Sequence, residues 1–195
     1  TSQVSYSYDV LNRLSHVLDP ATGLTAYNYD DVGNLQSYIY PNGVNHFYEF
    51  DALNRLTLID GPGTHSDVSY GYDSCPNGQG RLCRVVRADT TLDYTYTAFG
   101  KITRTDQAVV TWPGFQTAPG SVSYTYDAAG RVAGIHYPSG AQVSYTFSAS
   151  GNITAVQLLY DGTSTPLLQN GNYRPFGELM SGDRKSTRLN SSHYS

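Results

Sequence analysis

No run of about 18 apolar residues occurs anywhere in the 195-residue sequence, so no segment reads as a helix able to cross a bilayer. Charge is sparse, at 14%, and 12 Lys plus Arg against 16 Asp plus Glu give a formal net charge of -4. That balance offers nothing to a phosphate backbone or an anionic lipid surface, so nucleic acid is not an expected partner. Cysteine is scarce too. Cys75 and Cys83 are too few for a disulfide scaffold and lack His or Cys neighbours at zinc spacing. There is one Trp and one Met, the Met is not at the start, and no leader pattern opens the chain, which is therefore expected to begin inside a longer protein.

What is present in excess is tyrosine, 18 residues against 6 Phe, together with 19 Gly. Aromatic strands joined by many tight turns have that composition. The sequence repeats a unit written aromatic-x-aromatic-Asp-x-x-Gly/Asn-cation/Asn-apolar. Three copies are Tyr6-Ser-Tyr8-Asp9-Val-Leu-Asn12-Arg13-Leu14, Tyr27-Asn-Tyr29-Asp30-Asp-Val-Gly33-Asn34-Leu35 and Tyr48-Glu-Phe50-Asp51-Ala-Leu-Asn54-Arg55-Leu56. A fourth, Tyr70-Gly-Tyr72-Asp73, carries four extra residues before Gly80-Arg81-Leu82. Three more centre on Tyr96-Thr97 with Gly100, Tyr126-Asp127 with Gly130, and Phe147-Ser148 with Gly151. The second aromatic falls at 8, 29, 50, 72, 96, 126 and 147, a period near 21.

Each motif derives as a turn. Asp at the first position caps backbone N–H groups, and Gly or Asn at the fourth tolerates positive φ. A type I turn followed by a left-handed residue is a common bulged hairpin connection. The candidate turn residues are thus Asp9, Asn12, Asp30, Gly33, Asp51, Asn54, Asp73, Gly80, Gly100, Asp127, Gly130 and Gly151. Flanking segments such as Val4-Ser-Tyr6-Ser-Tyr8 alternate aromatic and small polar residues, which predicts strands with one buried and one wetter face. The return strands end in Pro- and Gly-bearing turns: Asp19-Pro20-Ala-Thr-Gly23, Tyr40-Pro41-Asn42-Gly43, Gly61-Pro62-Gly63 and Tyr137-Pro138-Ser139-Gly140. The fold class is therefore all-β: antiparallel hairpins with a period of about 21 residues, paired edge to edge in a curved or spiralling sheet. Raw strand edges at both ends predict that the segment alone aggregates, which size-exclusion chromatography checks.

The Tyr-Asp pairs followed by Gly-Arg-Leu resemble the YD repeats of Rhs proteins, insecticidal toxin complexes and teneurins, over nearly all of residues 1–182. The segment Asp73–Cys83 resembles a recurrent Rhs variant of the repeat, and Tyr173-Arg-Pro-Phe-Gly177 a short motif of bacterial Rhs regions, so a bacterial source is expected. The resemblance implies a hollow β-shell that encloses a C-terminal toxin until delivery. The implied partners are the rest of that shell, the enclosed toxin and the secretion machinery, and the full-length protein would be secreted or at the cell surface. Asp19-Pro20-Ala-Thr-Gly23-Leu24 is similar to an element of the family's self-cleaving core, but it has an extra residue and precedes more repeats, so it reads as a turn. Residues 183–195 break the pattern. Asp183 to His193 match, codon for codon, a common short-read sequencing adapter, and the segment reads as an artefactual, disordered tail. Without it, 9 basic and 15 acidic residues remain, a net of -6.

No catalytic, cofactor or metal site assembles from these residues, and an enzyme is not expected. A calcium role for the repeated Asp residues would require Gly-Gly-x-Gly-x-Asp nonapeptides, which are absent, and Thr97 and Ser148 replace Asp in two copies. His16, His46, His65 and His136 lie in different repeats and read as strand-surface residues. Gly78-Gln-Gly80 starts like a dinucleotide fingerprint, but Cys83 holds the third Gly position and no helix follows. Cys75 and Cys83 flank one hairpin loop and form either a disulfide or two buried thiols. The Tyr-rich strand faces admit a second reading, a module binding cell-surface glycans, against which stands simple packing of the rings into the wall.

Overall fold

A computed structural model describes residues 3–63, 66–109, 119–174 and 179–183. His65, residues 175–177 of the Tyr173–Gly177 segment and residues 184–195 lie outside the described residues. The described chain is all-β and antiparallel, as the alternation predicts. Its strands are β1 (Ser5–Tyr8), β2 (Leu14–Asp19), β3 (Gly23–Tyr29), β4 (Leu35–Ile39), β5 (Asn45–Phe50), β6 (Leu56–Asp60), β7 (Val68–Tyr72), β8 (Leu82–Arg87), β9 (Thr90–Tyr96) and β10 (Ile102–Val109). They continue as β11 (Gly120–Tyr126), β12 (Val132–His136), β13 (Gln142–Phe147), β14 (Ile153–Tyr160), β15 (Thr163–Tyr173) and β16 (Leu179–Asp183).

Two compact units are present, Thr1–Gly100 with Asp106–Pro119, and Lys101–Thr105 with Gly120–Ser195. The first holds β1 to β9, each pairing with the next in chain order. The second holds β11 to β16 with the same neighbour-to-neighbour order. β10 is shared, its Lys101–Thr105 side counted with the second unit. Every strand pair preceding a Tyr-Asp turn slips register at the second aromatic, as at Tyr8 opposite Leu14, Tyr29 opposite Leu35 and Phe50 opposite Leu56. That slip is the bulge which a type I turn plus a left-handed residue produces.

The structure departs from the expected buried face. Among the described residues Cys83, 2% exposed, is the one buried apolar side chain, and no large side chain is fully enclosed. Most of the described tyrosines are half-buried by lateral neighbours, while Tyr6 and Tyr8 of β1, at 59% and 58%, and Tyr40, Tyr137 and Tyr160 are exposed. Alternation identifies the residues that share a sheet face, but covering that face takes a second layer. None lies over these strands among the described residues.

A turn outside the repeat motif closes the hairpin of β14 and β15. Asp161 and Gly162, at φ 49° and 70°, form its two-residue connection, and Asp-Gly is the favoured chemistry where both central residues need positive φ. The repeat motif does not cover it: Tyr160-Asp161 is an aromatic-Asp pair, but Leu158 stands where the first aromatic would, and Gly162 follows Asp161 at once instead of three residues on.

Candidate functional site

The site is built from the turns upward. At Asp9 the backbone closes twice: Asn12 N–H donates to the Asp9 carbonyl at 3.0 Å, and Asp9 N–H donates to the Arg13 carbonyl at 2.8 Å. The Asp9 carboxylate accepts the N–H groups of Leu11 and Arg13 at 2.9 and 2.8 Å, and Asn12 sits at φ 61°. The same geometry recurs at Asp30 with Gly33 (φ 96°) and at Asp51 with Asn54 (φ 59°). At Asp127 the carboxylate accepts the Arg131 N–H, with Gly130 at φ 77°. Gly100 and Gly151, at φ 80° and 89°, complete turns that begin at Thr97 and Ser148, and the Ser148 hydroxyl accepts the Asn152 N–H where a carboxylate would.

Asp73 differs from its counterparts. It takes the left-handed conformation itself, at φ 68°, and its carboxylate reaches across the insertion to the Gly80 N–H at 2.6 Å, with Gly80 at φ 75°. The four extra residues lengthen the loop, so an ordinary first-position cap no longer reaches. The loop is pinched instead by a disulfide between Cys75 and Cys83, whose Cα atoms are 5.4 Å apart. Gly78 lies against both sulfurs: a Cβ there would stand 2.4 Å from each.

The turns are linked to one another by side chains. Arg13 donates from Nε to Asp9 at 2.6 Å, lays its guanidinium 4.6 Å over the ring of Tyr29 in the following repeat, and donates from Nη1 to the Asp30 carbonyl at 3.1 Å. Tyr29 answers by donating its hydroxyl to the Leu14 carbonyl at 3.0 Å. Arg55 repeats this: 2.7 Å to Asp51, 4.3 Å over Tyr72, and two bonds to the Asp73 carboxylate, while the Tyr72 hydroxyl donates to the Leu56 carbonyl at 2.8 Å. Arg81 lies 5.8 Å over Tyr96, whose hydroxyl donates to the Leu82 carbonyl, and Arg81 is held by the loop carbonyls of Asn77 and Gln79. In the second unit Lys101 lies 5.3 Å over Tyr126 and donates to the Gly130 carbonyl, and Arg131 lies 4.2 Å over Phe147. Each clasp therefore joins one turn to the next by a cation over a ring, with a hydroxyl to a carbonyl wherever that ring is Tyr.

This clasp went unread in the sequence, although its signal was present. A cation follows the left-handed residue in five of seven copies, Arg13, Arg55, Arg81, Lys101 and Arg131, and the remaining two have Asn34 and Asn152.

The turn carboxylates titrate low. For Asp9, Asp51 and Asp127 the chief cause is the backbone N–H of the Arg four residues on, opposed by desolvation and aided by that Arg's side chain. Asp73 is lowered first by the Arg55 side chain and then by the Gly80 N–H. At Asp30 desolvation raises the pKa but is outweighed by Asn34, through its side chain and backbone, with the Val32 and Gly33 N–H groups. A separate set of rings, Tyr27, Tyr38, Tyr40, His46 and Tyr48, gathers over β3 to β5, with His46 stacked 4.6 Å on Tyr38. Burial, then the neighbouring tyrosines, push the Tyr38 hydroxyl well above its usual range. His16 and His136 stand apart on β2 and β12, and among the described residues no three His, Cys, Asp or Glu gather where a metal would bind.

The RHS repeat family model matches residues 8–46, 116–142 and 126–164. No curated protein matches the sequence. Among solved structures the chain is similar to the crystal structure of TcdB2-TccC3-Cdc42, at 13% identity and a TM-score of 0.73 over 93% of this chain. It is likewise similar to TcdB2-TccC3, at 13% identity, TM-score 0.68 and 93% coverage, and to the Photorhabdus luminescens Tc holotoxin pore, at 13%, 0.66 and 94%. The chain spans about a tenth of the length of these structures, 10%, 12% and 11% respectively. Residues 8–46 and 116–164 thus match RHS repeats, and the same turn-and-clasp unit recurs in the stretch between them, at Asp51 with Arg55 and at Arg81 with Tyr96.

Proposed function

We propose that this chain is a length of wall in an RHS shell that encloses a C-terminal toxin and takes part in its delivery, in a protein that is secreted or held at the cell surface. The observation carrying this reading is the clasp: at five of the six joints between successive motifs a cation of one repeat lies over a ring of the next, which is the chemistry of a wall extended by addition. The likeness to the TcdB2-TccC3 structures supports it at the level of fold. The role is non-catalytic, and the partners are the remaining repeats, the enclosed domain and the secretion machinery. An adapter origin is assigned to residues 183–195, of which Asp183 ends β16 and 184–195 lie outside the described residues; resequencing the locus past residue 182 tests it. The function is tested by limited proteolysis of the longer protein. Its C-terminal domain is expected to resist protease when the repeats are intact and to be cleaved when residues 8–60 are deleted; equal cleavage in both overturns enclosure.

A second reading, glycan binding through the tyrosine faces, has the cluster of Tyr27, Tyr38, Tyr40, His46 and Tyr48 in its favour. These rings already pack on one another, so the wall reading uses them more fully. Saturable binding on a glycan array, lost in Tyr40→Ala, would favour the second reading.

A further inference from the structure

We propose that the joint between the second and third repeats is an open receptor for a guanidinium group, filled by an arginine side chain of another polypeptide segment lying across the sheet. At this joint alone among the six between successive motifs the position of the clasping cation holds a neutral residue, Asn34. The ring that would receive it, Phe50, also lacks the hydroxyl that Tyr29, Tyr72, Tyr96 and Tyr126 donate to a carbonyl of the preceding repeat. An open cleft of about 440 Å³ remains there, lined by Asp30, Gln36, Tyr48, Phe50, Asp51 and Asn54 among others, with no cationic side chain in its wall.

The neighbouring joint shows what this cleft is shaped to hold. Arg13 is gripped by three things: the carboxylate of Asp9, the ring face of Tyr29 and the carbonyl of Asp30. Their counterparts one repeat on are the carboxylate of Asp30, the ring face of Phe50 and the carbonyl of Asp51. Asp9, Asp51 and Asp127 are each neutralised by a guanidinium at 2.6 or 2.7 Å, whereas the bonds to the Asp30 carboxylate come from the uncharged N–H groups of Val32 and Asn34 and the Asn34 amide at 2.9 Å. That amide spans only to Asn54, at 3.3 Å, and carries no charge onto the ring. A negative carboxylate beside a half-buried ring that carries no cation among the described residues is the pairing that selects a flat cation over a neutral group of the same shape. The occupant is taken to be a polypeptide arginine because an arginine fills four of the five other joints.

Saturation-transfer NMR on the 195-residue chain tests this without requiring a monomer. The probes are ethylguanidinium, its neutral analogue ethylurea, and the peptide acetyl-Gly-Arg-Gly-amide. Ethylguanidinium is expected to bind saturably, ethylurea at least about fivefold more weakly, and the peptide at least as tightly as ethylguanidinium. Asn34→Arg supplies the missing cation and is expected to abolish binding while raising the melting midpoint. Phe50→Leu keeps apolar bulk but removes the ring face, and is expected to weaken binding about two- to fivefold, the range for an exposed cation–ring contact. Absence of saturable binding, equal binding of ethylurea, or undiminished binding in both variants overturns the receptor. Binding of ethylguanidinium but not of the peptide overturns the polypeptide as its source.

Discussion

Arg55 stands 4.3 Å over the ring of Tyr72, and Tyr72 returns a hydroxyl bond to the Leu56 carbonyl, the residue next to Arg55. The two contacts form a closed loop between adjacent repeats, so neither residue works alone. Tyr72→Phe keeps the ring under the cation and removes only the hydroxyl. Loss of one hydrogen bond of this kind costs about 0.5–1.5 kcal/mol, which in a chain of this size lowers Tm by roughly 1–6 °C. Arg55→Ala breaks the ring contact and the bonds to Asp51 and Asp73 together, and is expected to lower Tm further; differential scanning fluorimetry of both variants checks the order.

The left-handed turn residues separate strain from crowding. A Cβ at Gly33 would find only the Arg13 guanidinium, at 4.0 Å, so what a side chain meets there is the φ of 96°. Gly33→Val is expected to cost about 1–2 kcal/mol, the penalty of the left-handed region for a residue with Cβ. Asn12→Gly, at a position already at φ 61°, is expected to be near neutral. Equal melting curves for Gly33→Val and the parent would show that the turn relaxes into another conformation.

The Cys75–Cys83 pairing is expected to show as a two-hydrogen mass gain on reduction of the intact chain, and closing so short a loop is worth about 2–3 kcal/mol. Gly78→Ala places a Cβ within 2.4 Å of both sulfurs. The variant is therefore expected to bring free thiols, counted by titration under denaturing, non-reducing conditions. A thiol count unchanged from the parent would mean that the loop accommodates the methyl group.

Acid is expected to loosen the turns. The carboxylates of Asp9, Asp30, Asp51, Asp73 and Asp127 all lie below the ordinary 3.8 in the folded chain. Groups lowered on folding stabilise above their unfolded pKa and lose that contribution as pH falls through the folded one. The melting midpoint should thus be level from about pH 7 to 5 and decline below about pH 4. Asp9→Ser replaces one titrating cap with a hydroxyl, as Ser148 does, and should shrink the decline. A midpoint unchanged down to about pH 3 would remove the carboxylates from the account of stability.

The all-β hairpin architecture was legible because its determinants are local. A residue at positive φ, an Asp three positions before it and an alternating strand on each side all lie within one short window. Of the clasp only the recurring cation was legible; its partner was not, because Arg13 and Tyr29 are sixteen residues apart and strand order brings them together. Asp73 escaped the rule that holds for Asp9 because the insertion changes which backbone N–H groups its carboxylate can reach. The buried face failed for a different reason: alternation in Val122-Ser-Tyr124-Thr-Tyr126 identifies the residues that share a side, while coverage depends on elements these strands do not include.

Because a clasp reaches from one turn only to the following one, a repeat that bears the cation, as five of the seven do, carries both halves of its own joints: the cation that leaves and the ring that receives. Unequal recombination that adds or removes one whole unit of about 21 residues would rejoin a cation to a ring at the new seam, so such a gene is able to lengthen or shorten its wall without remaking any contact elsewhere.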